Sequence, residues 1–453
     1  MVVPVPEVMK SKNSHSRPAL INSVEEALKA AKRFGASSAE ASLSIDSGIS
    51  VSVRNEEIET LEYHKDKGLG VTVYFGHSKG SASTSDLDSK AIEETVKVAC
   101  DIARFTAADE FSGIAGESEL AWDYPDLDLH HPWNLSAQDA VDLAIECETA
   151  ALKYDKRIVN SEGASVSSHD AFHVYGNSHG FVASYPSSKH SLVCSVIARS
   201  NGAMQRDYWY TSDRDAKLMQ DAKQIGKKAA KRALSRLDSQ KISTGKYPVI
   251  FTPEMSAGLI SHFINAIRGG NLYRKSSFLL DSLGQQIFPG WLRIYEQPHL
   301  LGGIGSAPFD GEGVRTRSRS FIEAGVLQSY VLDSYSARKL GMKNTGNAGG
   351  VHNLVIEPGK HSFSQLLKQM DKGLVVTELM GQGVNTVTGD YSRGAAGFWV
   401  ENGKIQFPVE EITIASNLKD MFMNVVQLGN DVDKRRNIQT PSIHIEQMTI
   451  AGS

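Results

Sequence analysis

The chain has three cysteines, Cys100, Cys147 and Cys194, and none after residue 194. An odd, widely spaced set excludes a disulfide framework and fits a reducing compartment. No apolar run approaches the roughly 18 residues that a membrane helix needs. The first nine residues have two prolines and an acid, without the charged start and long apolar middle of a secretory signal. Residues 1–18 therefore read as a loose tail. There is no excess of basic charge: 48 Lys and Arg against 52 Asp and Glu give a formal net charge of −4, so the electrostatic footprint of a nucleic-acid binder is missing. The phosphate-loop pattern Gly-x-x-x-x-Gly-Lys-[Ser/Thr] does not occur. None of the 14 histidines is followed by glutamate, which excludes a His-Glu zinc motif on a helix. Together these absences predict a cytoplasmic protein that binds neither nucleic acid nor membrane.

What is present fills 453 residues, enough for two or three domains with cores of their own. Residues 24–34 have helical spacing, with Ser23 as cap and Gly35 as stop. Residues 39–53 alternate like a strand, with Gly48 marking a bend. Residues 58–63, 70–75 and 81–84 continue an antiparallel meander. A helix over 88–105 follows. The irregular, acidic stretch 109–135 marks a boundary, and Ser136 opens a helix that reaches about residue 155. Residues 157–212 alternate again and predict a second antiparallel sheet. The helix predicted over 215–237 has a lysine-rich face that reads as solvated.

A polar linker over 238–247 leads to a short strand at 248–251 and a helix over 253–267. In that helix Met255, Leu259, Phe263 and Ile267 recur every four residues, widened by Ile260 and Ile264. Thr252 can cap it and Pro253 suits its first position. Short strands are predicted at 314–321, 326–332, 373–379, 386–388, 397–401, 404–409, 411–415 and 443–450, with a helix at 362–370. Glu401-Asn-Gly-Lys404 signals a two-residue hairpin. The predicted fold class is α+β. Two helix-flanked antiparallel α+β units (19–110 and 111–240) precede a mainly-β, barrel-like or rolled C-terminal domain (241–453) that holds the 253–267 helix.

Three local patterns carry chemistry. His169 and His173 are four apart, as metal ligands on a helix would be, but they fall in an alternating run and read as half-exposed sheet histidines. Gly176-Asn-Ser-His-Gly180 satisfies Gly-x-Ser-x-Gly, with Ser178 at the nucleophile position. That motif needs a helix after it, whereas a strand-like run follows here, so a hairpin turn is expected. Glycine clusters at 302–305, 345–350 and 381–397 lack the strand–glycine–helix context of nucleotide loops. They suit tight turns, or places where another backbone comes close.

Segment 252–284 resembles the core of the TldD/PmbA family. So do residues 68–74, 79–84, 174–180, 309–316, 378–383 and 388–399, nearly end to end. In the TldD branch the helix carries His-Glu-x-x-x-His, which with a later cysteine holds a catalytic zinc. On that pattern the three positions fall on His262, Phe263 and Ile267, so only one keeps its chemistry. The chain is thus similar to the PmbA (TldE) branch. The resemblance implies no catalytic residue and no metal in this chain. A TldD-like partner would supply the zinc, and the substrates would be unfolded peptides bound extended at a sheet edge. Gly381, Gln382, Gly383, Arg393 and Gly394 are the candidate peptide contacts. Two other readings remain open: a non-enzymatic homodimeric scaffold or regulator, which fits the older family label of gyrase modulator, and an independent serine hydrolase using Ser178.

Overall fold

The computed structural model describes residues 16–452. The predicted tail lies outside these residues, except that Ser16–Pro18 open the first helix. α1 (Arg17–Arg33) carries Pro18 in its first turn, where a missing N–H costs nothing. Its start precedes the predicted one, so Ser23 does not cap; its hydroxyl donates to the Ala19 carbonyl one turn back, at 3.2 Å.

The strands that follow are long: β1 (Ser38–Arg54), β2 (Glu57–Phe75) and β3 (Ser78–Thr84), then β4 (Ile158–Asn177), β5 (Val182–Ser200) and β6 (Ala203–Asp213). The two sheets predicted from sequence are in fact one, in the order β3-β2-β1-β4-β5-β6. β1 pairs with β2 on one side and with β4 on the other, from Glu40↔Asn177 to Val53↔Ala164. Separate sheets would leave β1 a long unpaired edge, and the single sheet removes it. Gly48 does not bend β1, which runs straight through it.

Two separate cores lie on one face of this sheet. α1 and α2 (Ser89–Phe105) cover Ala41, Leu43, Leu69 and Val71. α3 (Ala137–Leu152) and α4 (Ala222–Ser235) cover Ile49, Val51, Val166 and Val196. Asp46–Gly48 is the waist between them. α4 is shorter than predicted because Asp221 caps it, accepting from Gln224 N–H at 3.1 Å. α3 and α4 touch backbone to backbone: a Cβ on Gly226 would sit 2.0 Å from the Cys147 carbonyl oxygen.

The C-terminal half contains β7 (Gly245–Phe251), α5 (Pro253–Ala266), β8 (Ile294–Glu296), β9 (Arg319–Glu323), β10 (Val326–Leu327) and β11 (Leu354–Ile356). It continues with β12 (Gly373–Met380), β13 (Asp390–Glu401), β14 (Lys404–Asn417), β15 (Val425–Leu428), β16 (Ile438–Gln439) and β17 (Ile443–Ala451). Strands β14-β13-β12-β7-β17 close on themselves through β14–β17 pairing, so the predicted barrel is present. A second sheet runs β10-β9-β8-β11-β16. The hairpin at 401–404 also holds, with Asn402 and Gly403 at φ 54° and 67°, the signs a type I′ turn requires. The predicted strand at 386–388 is instead a turn, held by Asn385 Oδ1, which accepts from Val387 N–H at 2.9 Å. Arg435 ties the two halves together. Its guanidinium lies 4.2 Å from the rings of both Trp209 and Tyr210 and donates to the Tyr210 carbonyl at 2.7 Å.

Candidate functional site

Helix α5 leaves the barrel directly from β7 and buries one face. Phe263 and Ile267 are fully inside the core. The Phe263 ring meets Phe288 at 5.3 Å and Phe422 at 6.0 Å, edge to face. His262 lies on the flank of this stripe, half-buried, with its ring centroid 6.1 Å from that of Tyr391 on β13. Burial first, and then the charge of Arg393, lower its pKa, so it stays a neutral imidazole. Its Nε2 is buried and has no hydrogen-bond partner. The same holds for Tyr391 Oη and Arg393 Nε.

These residues do not fit the family's zinc. Such a site takes three protein donors from His, Cys or carboxylate and leaves one position open. Here the glutamate and second-histidine positions are hydrocarbon sealed in the core. The sequence after residue 194 has no cysteine. The nearest charge to His262 is a guanidinium, which disfavours a cation. His262 alone offers one donor where three are needed, and Arg393 can only donate hydrogen bonds.

The structure brings Gly381, Gln382, Gly383, Arg393 and Gly394 together where β12 turns into β13. Gly394 faces Met380 across the pair. Gly383 accepts from Ser392 N–H at 2.7 Å, and a Cβ there would lie 1.8 Å from the Ser392 carbonyl oxygen. Its close approach is therefore to its own chain. Gly381 supplies a φ of 77° to the turn. Beside them, β7 pairs only with Leu374–Val376 of β12. Among the described residues, Glu378–Met380 have β13 on one side and no strand on the other, and Thr377 is a bulge skipped by the pairing.

Ser178 sits in the hairpin turn between β4 and β5, as the sequence predicts. Its Oγ accepts from Ala39 N–H at 3.1 Å, and its own N–H donates to the Ala39 carbonyl at 2.8 Å. The adjacent His179 is engaged with the Ala115 carbonyl at 3.2 Å, so no base serves the hydroxyl. Ser178→Ala should lower stability by about 1 kcal/mol, read by urea unfolding, and leave any peptidase activity unchanged.

Sequence reasoning read His169 correctly as a half-exposed sheet histidine, but missed the cluster it joins and two buried carboxylates. His169 does not act with His173; it meets His64 of β2 and Asp46 of β1. Asp310 and Glu296 are nearly inaccessible, and burial pushes each up to about 7. Asp310 borders a cleft between the open face of the long sheet and the C-terminal domain, lined also by Ser42, His173, Tyr175, Phe309 and His352. The sole sequence signal for Asp310 was its place in the 309–316 segment.

With this geometry in view, three consecutive parts of the chain match domain models of one class of metallopeptidase. The PmbA/TldA metallopeptidase domain 1 matches residues 39–103, the central domain 130–237 and the C-terminal domain 244–452. The chain belongs to the PmbA/TldD family, in its PmbA branch. It is 55% identical over 414 residues to Metalloprotease PmbA of Escherichia coli O157:H7, covering 91% of this chain and 92% of that protein. The crystal structure of a Bacteroides thetaiotaomicron protein described as a modulator of DNA gyrase superposes with a TM-score of 0.91 at 32% identity, covering 95% and 98% of the two chains. More distant relatives include a TldD homolog of Buchnera aphidicola, 22% identical over 440 residues and covering 88% of this chain and 90% of that one.

Proposed function

We propose that this chain is the subunit of a cytoplasmic, two-chain metallopeptidase that carries no hydrolytic zinc of its own, and that it acts with a TldD-like, zinc-bearing partner on unfolded peptides. The observation that carries this reading is the burial of Phe263 and Ile267, with Arg393 placing positive charge beside His262. The similarity of the TldD homolog along most of both chains favours a partner of the same fold. The one-sided segment Glu378–Met380 supports the substrate class. An extended peptide can add there through main-chain hydrogen bonds that are indifferent to side chains. Gly381, Gln382, Gly383, Arg393 and Gly394 border that segment, and Arg393 suits a peptide carboxylate. The partner's zinc and its glutamate carry out hydrolysis; this chain binds and aligns the peptide.

The test is reconstitution. Each purified chain, and then the mixture, is incubated with an unstructured peptide. Cleavage is expected only in the mixture, and a chelator should abolish it. Cleavage by this chain alone that His262→Ala removes would overturn the reading. The description of the Bacteroides relative as a modulator of DNA gyrase favours a second reading, a regulator, which we would place as a homodimer without peptidase function. A mixture that neither associates nor cleaves would support that one.

A further inference from the structure

Away from the α5 region, three adjacent strands bring three donor atoms to one point. Asp46 Oδ1 of β1 lies 2.9 Å from His64 Nε2 of β2 and 3.1 Å from His169 Nδ1 of β4. The two nitrogens are 2.9 Å apart. The register explains the meeting: His64 and His169 stand opposite Gly48 from either side. A Cβ on Gly48 would sit 2.1 Å from the Ser168 carbonyl oxygen, and 2.8 Å and 3.0 Å from Cε1 and Nε2 of His64. The glycine that the sequence marks as a bend thus lets β4 approach closely and also leaves room for the His64 ring.

Protons alone leave this triangle unsatisfied. The carboxylate oxygen has lone pairs only, and each ring nitrogen has either a hydrogen or a lone pair. With both nitrogens protonated, both N–H groups can donate to Asp46 Oδ1, but the two hydrogens then crowd along the 2.9 Å nitrogen–nitrogen edge. With one protonated, a single hydrogen serves two acceptors, and the remaining edge sets lone pair against lone pair. With neither protonated, all three edges repel. A cation above the triangle takes all three lone pairs at once.

At metal–ligand bonds of about 2.1 Å, edges of this length subtend about 90° at the ion, the face of an octahedron; a tetrahedral set would be spaced by about 3.4 Å. The surrounding charges are mixed. Asp66 stands directly opposite Asp46, a like-charge pair that a cation would relieve. Lys189, in register with His169, is exposed and opposes it.

We propose that Asp46, His64 and His169 form a site for one first-row divalent cation of the imidazole-binding kind, with its remaining positions held by water. The side chains are 41%, 24% and 37% exposed, so the ion has access from the open face of the sheet. The site lies at the waist between the two helix-covered cores, where it would link β2, β1 and β4. It is distinct from the degenerate position on α5 and does not depend on the peptidase reading.

The test uses the full chain, stripped with a chelator, dialysed and titrated with Co2+ alone. One equivalent should bind and give visible d–d absorption. The double substitution His64→Gln, His169→Gln should weaken binding by more than about tenfold, and Asp46→Asn, which keeps the side-chain size, should weaken it in the same sense. His173→Ala and His262→Ala should bind as the parent does. Circular dichroism confirms that each variant is folded. Absence of stoichiometric binding by the parent, or equal binding by the folded variants, would overturn the proposal.

Discussion

Phe263→Glu is expected to abolish cooperative folding, although it restores the residue that the zinc-bearing branch carries at this position. The Phe263 ring has no solvent exposure and packs on Phe288 and Phe422. Emptying such a site costs about 3–5 kcal/mol. A carboxylate placed there meets no cation and no ring of donors, which adds several kcal/mol more. The sum rivals the whole stability of an ordinary domain, about 5–15 kcal/mol. Ile267→His should do similar damage, since Ile267 is also fully buried. His262→Ala should stay within about 1 kcal/mol of the parent, because its Nε2 has no partner to lose. Chemical unfolding followed by fluorescence ranks the three. A folded Phe263→Glu protein near parental stability would mean that α5 can turn its hydrocarbon face outward. Loss of folding in both variants would mean that zinc ligation cannot be regained here one ligand at a time.

The burial of Phe263 and Ile267 was legible in the four-residue stripe of the sequence, because helical periodicity is local. The hairpin at Asn402-Gly403 was legible for the same reason: both residues must adopt positive φ, and their types announce it. The sheet was not. Alternation shows which face a strand residue takes, but not which strand lies beside it. The pairing of β1 with β4 joins residues more than a hundred positions apart. The convergence of Asp46, His64 and His169 depends wholly on that register. Alternation did place His169 and His173 on one face, yet the partner that matters for His169 lies across the strands and not along its own. Gly383 was read correctly as a place of close approach. The approaching backbone is that of Ser392 in its own chain, an identity that residue type alone cannot supply. Buried carboxylates are hardest of all, since burial is a property of the packed domain and an acidic residue in a turn looks the same whether it is covered or not.

Asp310 is such a carboxylate, and its removal carries the other large expected effect. Only 3% of the residue is exposed. Its Oδ1 accepts from the backbone N–H groups of Glu312 and Val314, and its Oδ2 from that of Ala348, each at 2.9 Å. It thereby shapes the 310–314 turn and fastens it to the 345–350 loop, beside the cleft that faces the long sheet. Asp310→Ala strands three donors, and at about 1–3 kcal/mol each the loss should reach about 3–9 kcal/mol. The effect should also depend on pH. Burial raises the carboxyl to about 7 against the pull of those donors, whereas in the unfolded chain it titrates near about 3.9. Between these values the folded state holds the extra proton, so the contribution of Asp310 to stability is fullest below about pH 4. It falls as pH rises and levels off above about 7, a change on the order of 4 kcal/mol. The difference between the parent and Asp310→Ala should therefore be largest in acid and shrink toward pH 8. Urea unfolding of both proteins at pH 4.5 and 8 measures it. Parallel pH profiles would show that the carboxyl ionises normally. The turn would then hold a fixed negative charge at the rim of the cleft, and the cleft would favour cationic ligands over neutral ones.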